Sequence, residues 1–483
     1  MTMNFIATRI FSGSMIRGAA IVAACVLISS CAVGPDYVKP AAETPQAWVG
    51  ASTAEPANLA AWWETFGDPV LTGLIGQGQK SNLDLKIASE RLRQSRAAQG
   101  QASGALWPSL NLGAGYQRSA TNPPDDAGAA GSDSGSRSLY RAGFDSSWEI
   151  DVFGGARRGI EAAGAEVRAS GEDLRDVLVS VAGDIGVNYL TLRGLQEQLA
   201  ITRENLAAQE SSVRITKKRF DAGFASELDL SNSQAQVAAT RAQIPSLQAQ
   251  INQTIYALGL LLGREPGALL AELSPEEPLP EVPDQVPAGL PSGLLQRRPD
   301  IRAAEARLHA ATARIGVAKA DLFPRFFLNG SASIQATHLE SWSSSVYRLW
   351  SVGPSVSWNL FSGGATRARI EENRSRADQA FVEYQRAVLT ALGEVESSWI
   401  AFDKETVRAA SLRTAVENNR RAVELANRLY IEGQTDFLSV LDAQRSLYSA
   451  QQALSSSRSK RSTHLVSLYK ALGGGWESAG PVE

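Results

Sequence analysis

The chain is poor in the residues that staple or arm a protein. Among 483 residues there are two cysteines, three histidines and three methionines. Cys25 and Cys31 both fall in the first 31 residues, so no thiol pair is left to cross-link the rest. Stability must come from packing or oligomerisation. His309, His338 and His464 lie far apart, and no HExxH, GxSxG or phosphate-binding glycine loop occurs. A hydrolase would need such a constellation, so the pattern argues against an enzyme and offers no metal or cofactor site. A formal net charge of −3 leaves no basic excess for nucleic acid. Aromatics make up only 7%. Beyond Cys31 no apolar run reaches the roughly 20 residues of a spanning helix. Proline is missing between Pro124 and Pro245 and between Pro354 and Pro481. Nothing therefore breaks a helix over two spans of roughly 120 residues each.

What is present begins at the N-terminus. Arg9 and Arg17 precede the apolar, small-residue run Ile21–Ser30, and Leu27-Ile28-Ser29-Ser30 leads into Cys31. This has the order of a secretory signal, and Met15 could open a compact version of it. It resembles a bacterial lipobox, which implies a diacylglycerol and an N-acyl chain (palmitate) on Cys31. Ala32, in place of an aspartate, implies sorting to the outer membrane.

The remainder repeats itself. Asn82-Leu83-Asp84-Leu85 with Arg91-Leu92, ahead of Leu106-Trp107-Pro108, matches Arg298-Pro299-Asp300-Ile301 with Arg307-Leu308, ahead of Leu322-Phe323-Pro324. Ser147-Trp148 through Phe153-Gly154-Gly155-Ala156 matches Ser357-Trp358 through Gly363-Gly364-Ala365. Arg219 to Gly223 matches Leu429 to Gly433, and Ala257-Leu258-Gly259 pairs with Ala471-Leu472-Gly473. Six segments follow: a signal over 1–30, an N-terminal segment over 31–81, a first repeat over 82–273, a Pro- and Glu-rich connector over 274–298, a second repeat over 299–472 and a tail over 473–483.

Each half carries two alternating strands, near 109–118 and 139–153, then 325–337 and 349–361. Ala142, Phe144, Trp148, Ile150 and Val152 share one face; Arg141, Asp145, Ser147, Glu149 and Asp151 share the other. Roughly ten residues suffice for a tilted strand to cross a bilayer, and alternation of this kind marks a membrane barrel. The polar stretch Ser119–Ser138 suits an outward loop. Four strands cannot close a barrel, and an open edge in lipid leaves backbone groups unpaired at several kcal/mol each. Three copies supplying twelve strands is the simplest closure that leaves a lumen.

The proline-free spans read as long helices. Val177, Val181, Ile185, Tyr189, Leu192, Leu195 and Leu199 recur at helical spacing, and the first helix is expected from about Glu166 to Phe220. Gly223 and Gly433 mark two turns, and Pro245 is expected to kink a return helix. The fold class is mainly helical with membrane β structure: a trimeric twelve-stranded barrel continuous with a coiled-coil α-barrel.

Further motifs carry a family resemblance. They are Ala32-Val33-Gly34-Pro35-Asp36-Tyr37, Trp62-Trp63 with Phe66 and Asp68-Pro69, Pro287-Ala288-Gly289-Leu290-Pro291-Ser292, Arg297-Arg298-Pro299-Asp300-Ile301, and Leu441-Asp442-Ala443-Gln444-Arg445. Together they resemble the outer-membrane factors of tripartite efflux systems, the TolC-like family, in its NodT/OprM-like lipoprotein branch. The resemblance implies an outer-membrane homotrimer with a large periplasmic extension. It would be a passive duct opened by a periplasmic adaptor and an inner-membrane RND-type pump. It also implies that the connector and both mature termini form a belt. Type I protein secretion and metal-ion export stay open as alternatives, as does a structural coiled-coil lipoprotein.

A closed mouth is expected at the helix tips. Asp229, Tyr430, Asp436, Leu438, Asp442 and Arg445 lie near Gly223 and Gly433. Asp442 and Arg445, three apart, can pair with each other or with a neighbouring copy. The resemblance implies Asp442 as a pore-ring acid, Arg445 and Tyr430 as closing contacts and Asp229 as a tie from the first hairpin. Ser439 and Thr435 stand where some relatives have an acid and an arginine, so Leu438 becomes a candidate apolar constriction. Phe220, Phe224 and Phe437 read as packing residues.

Overall fold

The computed structural model describes residues 32–41, 45–49, 59–120, 136–283, 293–338 and 347–477. Cys31 with the signal, the middle of the Ser119–Ser138 loop, Pro287–Ser292 and the last six residues lie outside the described residues. A short 3₁₀ turn, Trp62–Phe66, precedes α1 (Pro69–Ser81), α2 (Leu83–Gly104), β1 (Ser109–Ala120), β2 (Ser136–Ile150), α3 (Gly155–Asp221) and α4 (Glu227–Leu261). The second half follows as α5 (Pro299–Ala320), β3 (Arg325–Ala336), β4 (Tyr347–Ser357), α6 (Ala365–Ile431) and α7 (Phe437–Ala471).

The duplication is carried in helix length. α2 and α5 each have 22 residues, α3 and α6 each have 67, and α4 and α7 each have 35. Arg325 lies 216 residues after Ser109, and Ala365 lies 210 after Gly155. The six-residue drift therefore falls between the strands. At an offset of 210, the partner of Ala471-Leu472-Gly473 is Leu261-Leu262-Gly263. The pairing expected with Ala257-Leu258-Gly259 is one turn out of step. Gly263 and Gly473 both take positive φ, 64° and 73°, and each ends its helix.

Two compact units divide the chain. The first comprises the described parts of Met1–Pro40, Arg93–Arg168 and Glu305–Val382; the second, those of Ala41–Leu92, Ala169–Ala304 and Glu383–Glu483.

In the first unit the strands form one antiparallel sheet in the order β1-β2-β3-β4. Period-two alternation sorts the faces. Across one face run Leu112, Phe144, Ala332 and Trp350; across the other run Asn111, Asp145, Ser331 and Ser351. The apolar face is open, with Trp350 78% exposed. The polar face carries its own bonds, from Ser147 Oγ to Asn329 Oδ1 at 2.9 Å and from Asn329 Nδ2 to Ser355 Oγ at 2.8 Å. Duplicated tryptophans close the sheet ends: Trp148 Nε1 donates to the Leu106 carbonyl at 2.9 Å and Trp358 Nε1 to that of Leu322 at 3.1 Å.

β2 stops at Ile150, short of the expected Phe153, and β4 stops at Ser357, short of 361. Asp151 is the cause in the first half. Its carboxylate accepts the amides of Ala156 at 3.2 Å and Arg157 at 2.9 Å, so it starts α3 at Gly155, eleven residues before the expected Glu166. Gly154, at φ 78°, makes the corner.

The segment after Cys31 is fastened within this unit. Val33 N donates to the Phe153 carbonyl at 3.0 Å. Arg158 reaches Asp36 at 2.5 Å and Glu161 at 2.7 Å. Tyr37 stacks on His309 with ring centroids 4.3 Å apart. Arg168 donates to His309 Nδ1 at 3.0 Å, which leaves Nε2–H to donate to Glu161 at 2.9 Å. Burial works against ionisation of Glu161, but the His309 and Arg158 hydrogen bonds outweigh it and hold the carboxyl below its ordinary range.

In the second unit α3 is buried on more than one face between Leu174 and Leu199, wider than the expected stripe; Val177 and Leu195 are only half-buried. Arg193, 2% exposed, sits in its middle. It donates to Tyr189 OH at 3.1 Å, Gln196 Oε1 at 2.8 Å, the Pro275 carbonyl at 3.2 Å and Glu277 at 3.3 Å. Tyr189 in turn donates to Asp68 at 2.5 Å, and Asp68 caps α1 through Val70 and Leu71. One cation thus ties the N-terminal segment, α3 and the start of the connector. Arg298 does the same for the second repeat. It grips Asp300 bidentately at 3.0 and 2.7 Å, Glu394 at 2.7 Å and the Ala471 carbonyl at 2.9 Å. Pro299 opens α5, a position where its missing amide costs nothing. Pro245 lies inside α4 without ending it.

Two expectations follow. Arg193→Leu removes the donor to the Tyr189 hydroxyl, Gln196 Oε1 and the Pro275 carbonyl, and should cost about 1.5–3 kcal/mol. The check is a lower melting temperature with faster proteolysis at 274–283. A carboxyl with a depressed folded-state value stabilises fully above its ordinary value of 4.5 and loses that contribution as pH falls through the folded value. Hydrogen exchange of residues 32–40 should therefore accelerate below about pH 4.5, and Glu161→Gln should show fast exchange already at pH 7.

Candidate functional site

The two long-helix turns lie in the second unit and share one design. α3 ends in a Schellman motif: Gly223 N donates to the Phe220 carbonyl at 2.9 Å and Phe224 N to that of Arg219 at 2.7 Å. α6 ends identically, with Gly433 N to Tyr430 at 3.1 Å and Gln434 N to Leu429 at 2.8 Å. Gly223 and Gly433 take φ of 78° and 76°, left-handed values that any Cβ would strain.

The return helices are capped by one pair of residues in opposite order. Ser226 caps α4, and Asp229 closes the box by accepting the Ser226 amide at 3.0 Å and hydroxyl at 2.8 Å. In α7 the acid comes first. Asp436 accepts the Ser439 amide at 3.1 Å and hydroxyl at 2.8 Å, which draws its carboxyl below the usual range. Ser439 is thus the cap's partner. Within the chain Asp229 Oδ2 serves its own helix end, and among the described residues no hydrogen bond or ion pair runs from it to the second hairpin.

The tie is Arg219, which the sequence reading missed. Its guanidinium donates to the Tyr430 carbonyl at 2.8 Å and lies 4.6 Å over the Tyr430 ring. The signal was available in the duplication, since Arg219 is matched by Leu429 and so marks where the halves differ. Tyr430 is buried with Phe437, Val440 and Leu441, its ring 5.6 Å from Phe437 and edge-on. It is a core residue of the tip. Of the three phenylalanines expected to pack, Phe437 does; Phe224 is 76% exposed and Phe220 is exposed too.

Asp442 and Arg445 do not pair with each other. Arg445 Nε donates to Gln236 Oε1 of α4 at 2.7 Å, while Asp442 is exposed and makes no ion pair among the described residues. Leu438 is exposed, and so is its repeat partner Leu228, which the sequence reading also missed.

The hairpins meet along a neutral polar seam. Gln444 donates to Ser212 at 2.8 Å, Tyr448 OH meets Thr202 at 3.1 Å and also bonds Gln243, and Asn205 donates to Gln451 at 2.8 Å. Such bonds contribute only about 1 kcal/mol each. An ion pair joins the hairpins further along, where Arg458 reaches Glu197 at 2.5 Å. A seam of this kind holds its register yet separates at modest cost. Among the described residues no cluster of His, Cys, Asp and Glu could hold a metal.

Comparison with known proteins agrees with this architecture. The outer membrane efflux protein family matches residues 74–264 and 290–474, one segment per repeat. The pyoverdine export outer membrane protein OpmQ of Pseudomonas aeruginosa is 32% identical over 468 residues, covering 96% of this chain and 98% of that protein. The toluene efflux pump outer membrane protein TtgF of Pseudomonas putida is 33% identical over 473 residues, covering 95% and 96%. The solved outer-membrane channel OprN superposes with a TM-score of 0.85 at 37% identity, covering 92% of this chain and 100% of that one.

Cap and tie are separable by experiment. Arg219→Met removes a charge-assisted bond of about 1.5–3 kcal/mol and should speed hydrogen exchange around Gly433 tenfold or more. Asp229→Ala should loosen only the first turn of α4, by about 1 kcal/mol. Equal effects of both variants at Gly433 would return the tie to Asp229.

Proposed function

The chain belongs to the outer membrane efflux protein family, and from that membership we propose that three copies assemble into the exit duct of a tripartite, RND-driven pump. As an outer-membrane efflux component it supplies a passage and performs no catalysis of its own in this reading. The observation that carries the trimer is the sheet. Its apolar face is exposed, its polar face is bonded, and β1 and β4 are edges. In lipid every edge group must find a partner, and another copy's edge provides one. Three copies give twelve strands, with the serine, asparagine and aspartate face turned to a watery lumen.

The lipid on Cys31 fits the strap that begins one residue later. Val33, Asp36 and Tyr37 are each held, so an acyl chain on Cys31 would be tethered close to a fixed point. The mouth is assigned to the helix tips. Asp442 and Leu438 are exposed on α7 and would be placed to meet their counterparts from other copies. Three carboxylates converging there would favour cations. Opening requires the hairpins to slide along the polar seam and to release the Arg219 tie, at a cost that docking of a periplasmic adaptor can offset. For cargo, the toluene and pyoverdine named for two relatives favour organic small molecules over proteins.

In planar bilayers Asp442→Ala should raise single-channel conductance and weaken cation preference. Unchanged conductance and selectivity would remove Asp442 from the mouth. Purified protein should run as a heat-modifiable trimer, and Cys31→Ser should abolish incorporation of labelled palmitate; a detergent-independent monomer would defeat the duct reading.

A further inference from the structure

The duplication supplies a template for the joint that one chain leaves open. β1 pairs with β2 at Ser109↔Ser147, and the same joint recurs in the second half, where β3 pairs with β4 at Arg325↔Ser357. β1 therefore maps onto β3 by a shift of 216 residues, and β2 onto β4 by a shift of 210. Between these hairpins lies the β2–β3 joint, which runs from Tyr140↔Ala336 to Ile150↔Phe326. Its repeat would join β4 to a β1, yet this chain's own β1 stands at the opposite edge of the sheet.

Two features of β4 mark the missing neighbour. Trp148, Glu149 and Ile150 lie past the end of β1 and stay in β2 by pairing with Leu328, Phe327 and Phe326 of β3 alone. Their repeats, Trp358, Asn359 and Leu360, lie past the end of β3 and have no strand opposite them, so β4 stops at Ser357. Trp358 and Leu360 are left 54% and 76% exposed. The second feature is a glycine. Gly143 sits where β2 and β3 press together: a Cβ there would collide with Ser333 and come within 2.6 Å of the Ala332 carbonyl oxygen. Its repeat is Gly353, where a Cβ would meet nothing within 4 Å. The glycine recurs, but the strand that requires it does not occur within the chain.

We infer that β4 of one copy pairs antiparallel with β1 of the next in the register that the β2–β3 joint dictates, and that β4 then lengthens to Leu360. The two shifts set Leu360 opposite Leu110 of the partner subunit and Val356 opposite Ala114 of the partner subunit. They set Ser355 opposite Gly115 of the partner subunit, and Gly353 opposite Gln117 of the partner subunit. The faces agree. Leu360, Trp358 and Val356 extend the apolar row of β1, while Ser355 and Ser351 extend its polar row, so both faces run unbroken across the joint. A slip of one residue would carry the serines into the apolar row. Gly353 then has the close neighbour that Gly143 has within the chain, and the backbone of Trp358–Leu360 finds partners. The inference rests on the trimeric duct proposed above and fixes how its copies are joined.

The test is disulfide cross-linking of the full-length protein in outer-membrane fractions, with single-cysteine variants as blanks for the native Cys25 and Cys31. Opposed Cα atoms of an antiparallel ladder lie about 4.5–5.5 Å apart, within disulfide reach. A two-residue slip widens the gap to about 7–8 Å, which is beyond it. Val356→Cys with Ala114→Cys, and Ser355→Cys with Gly115→Cys, should each give reducible covalent dimers and trimers. Val356→Cys with Leu112→Cys or with Tyr116→Cys should give none. Gly353→Val should leave the helical circular dichroism unchanged and cost the trimer its resistance to heat in detergent. Cross-linking by a slipped pair, or by no pair in a protein that still sediments as a trimer, would overturn the register and leave the duct standing. Wild-type heat resistance in Gly353→Val would do the same. A protein that sediments as a monomer would take the duct reading down with it.

Discussion

A sheet that is apolar on one side, bonded on the other and open at both edges poses the problem that the rest of this molecule answers. Backbone amides and carbonyls along β1 and β4 need partners wherever water is excluded, and the chain's own strands are already used. The pairing of Leu112, Phe144, Ala332 and Trp350 across four strands shows that the register serves one continuous apolar face. Covering that face with helices would make an ordinary two-layer domain. Here the face is uncovered, with Leu112, Phe144 and Trp350 all exposed.

The helices solve a second problem, that of building length without a conventional core. Buried arginines do work that hydrophobic residues do elsewhere. Arg193, midway along α3, gathers the Pro275 carbonyl and the Glu277 carboxylate of the connector, and Arg298, at the start of α5, gathers Glu394 of α6 and the Ala471 carbonyl that ends α7. Removing a partner from such a node is costly, whereas the amide and hydroxyl bonds nearer the tips are individually weak. The tips themselves are tied by Arg219, so charged contacts stand at both ends of a stretch of weaker amide and hydroxyl bonds.

Much of this was legible in the residues. The repeat, the alternation, the proline-free spans and the two turn glycines all correspond to real elements, because each rests on a local rule that tertiary context did not override. The misses have local causes too. α3 begins at Gly155 because Asp151 caps it, and a first stretch containing Gly155, Gly159 and Gly164 disguises a helix start. Leu-Gly occurs at both 258–259 and 262–263, and Ala257 makes the earlier copy the better letter match to Ala471-Leu472-Gly473. The resemblance implies Asp229 as a cross-link, while an acid three residues after a serine at a helix start serves equally as a cap. Arg219 and Leu228 needed the packing of separate helices, which no linear pattern records.

The equal helix lengths of the two halves carry an evolutionary consequence. An inserted residue in α3 would rotate everything beyond it by about 100° and lift it by 1.5 Å, putting one Schellman turn out of phase with its twin. A compensating insertion at the same depth in α6 would have to follow before the pair regained level ends. The stretches between paired strands carry no such penalty, and that is where the six-residue drift between halves has accumulated. Descendants of this duplication should therefore diverge in length in the strand-to-strand connections and stay frozen, residue for residue, along the rods.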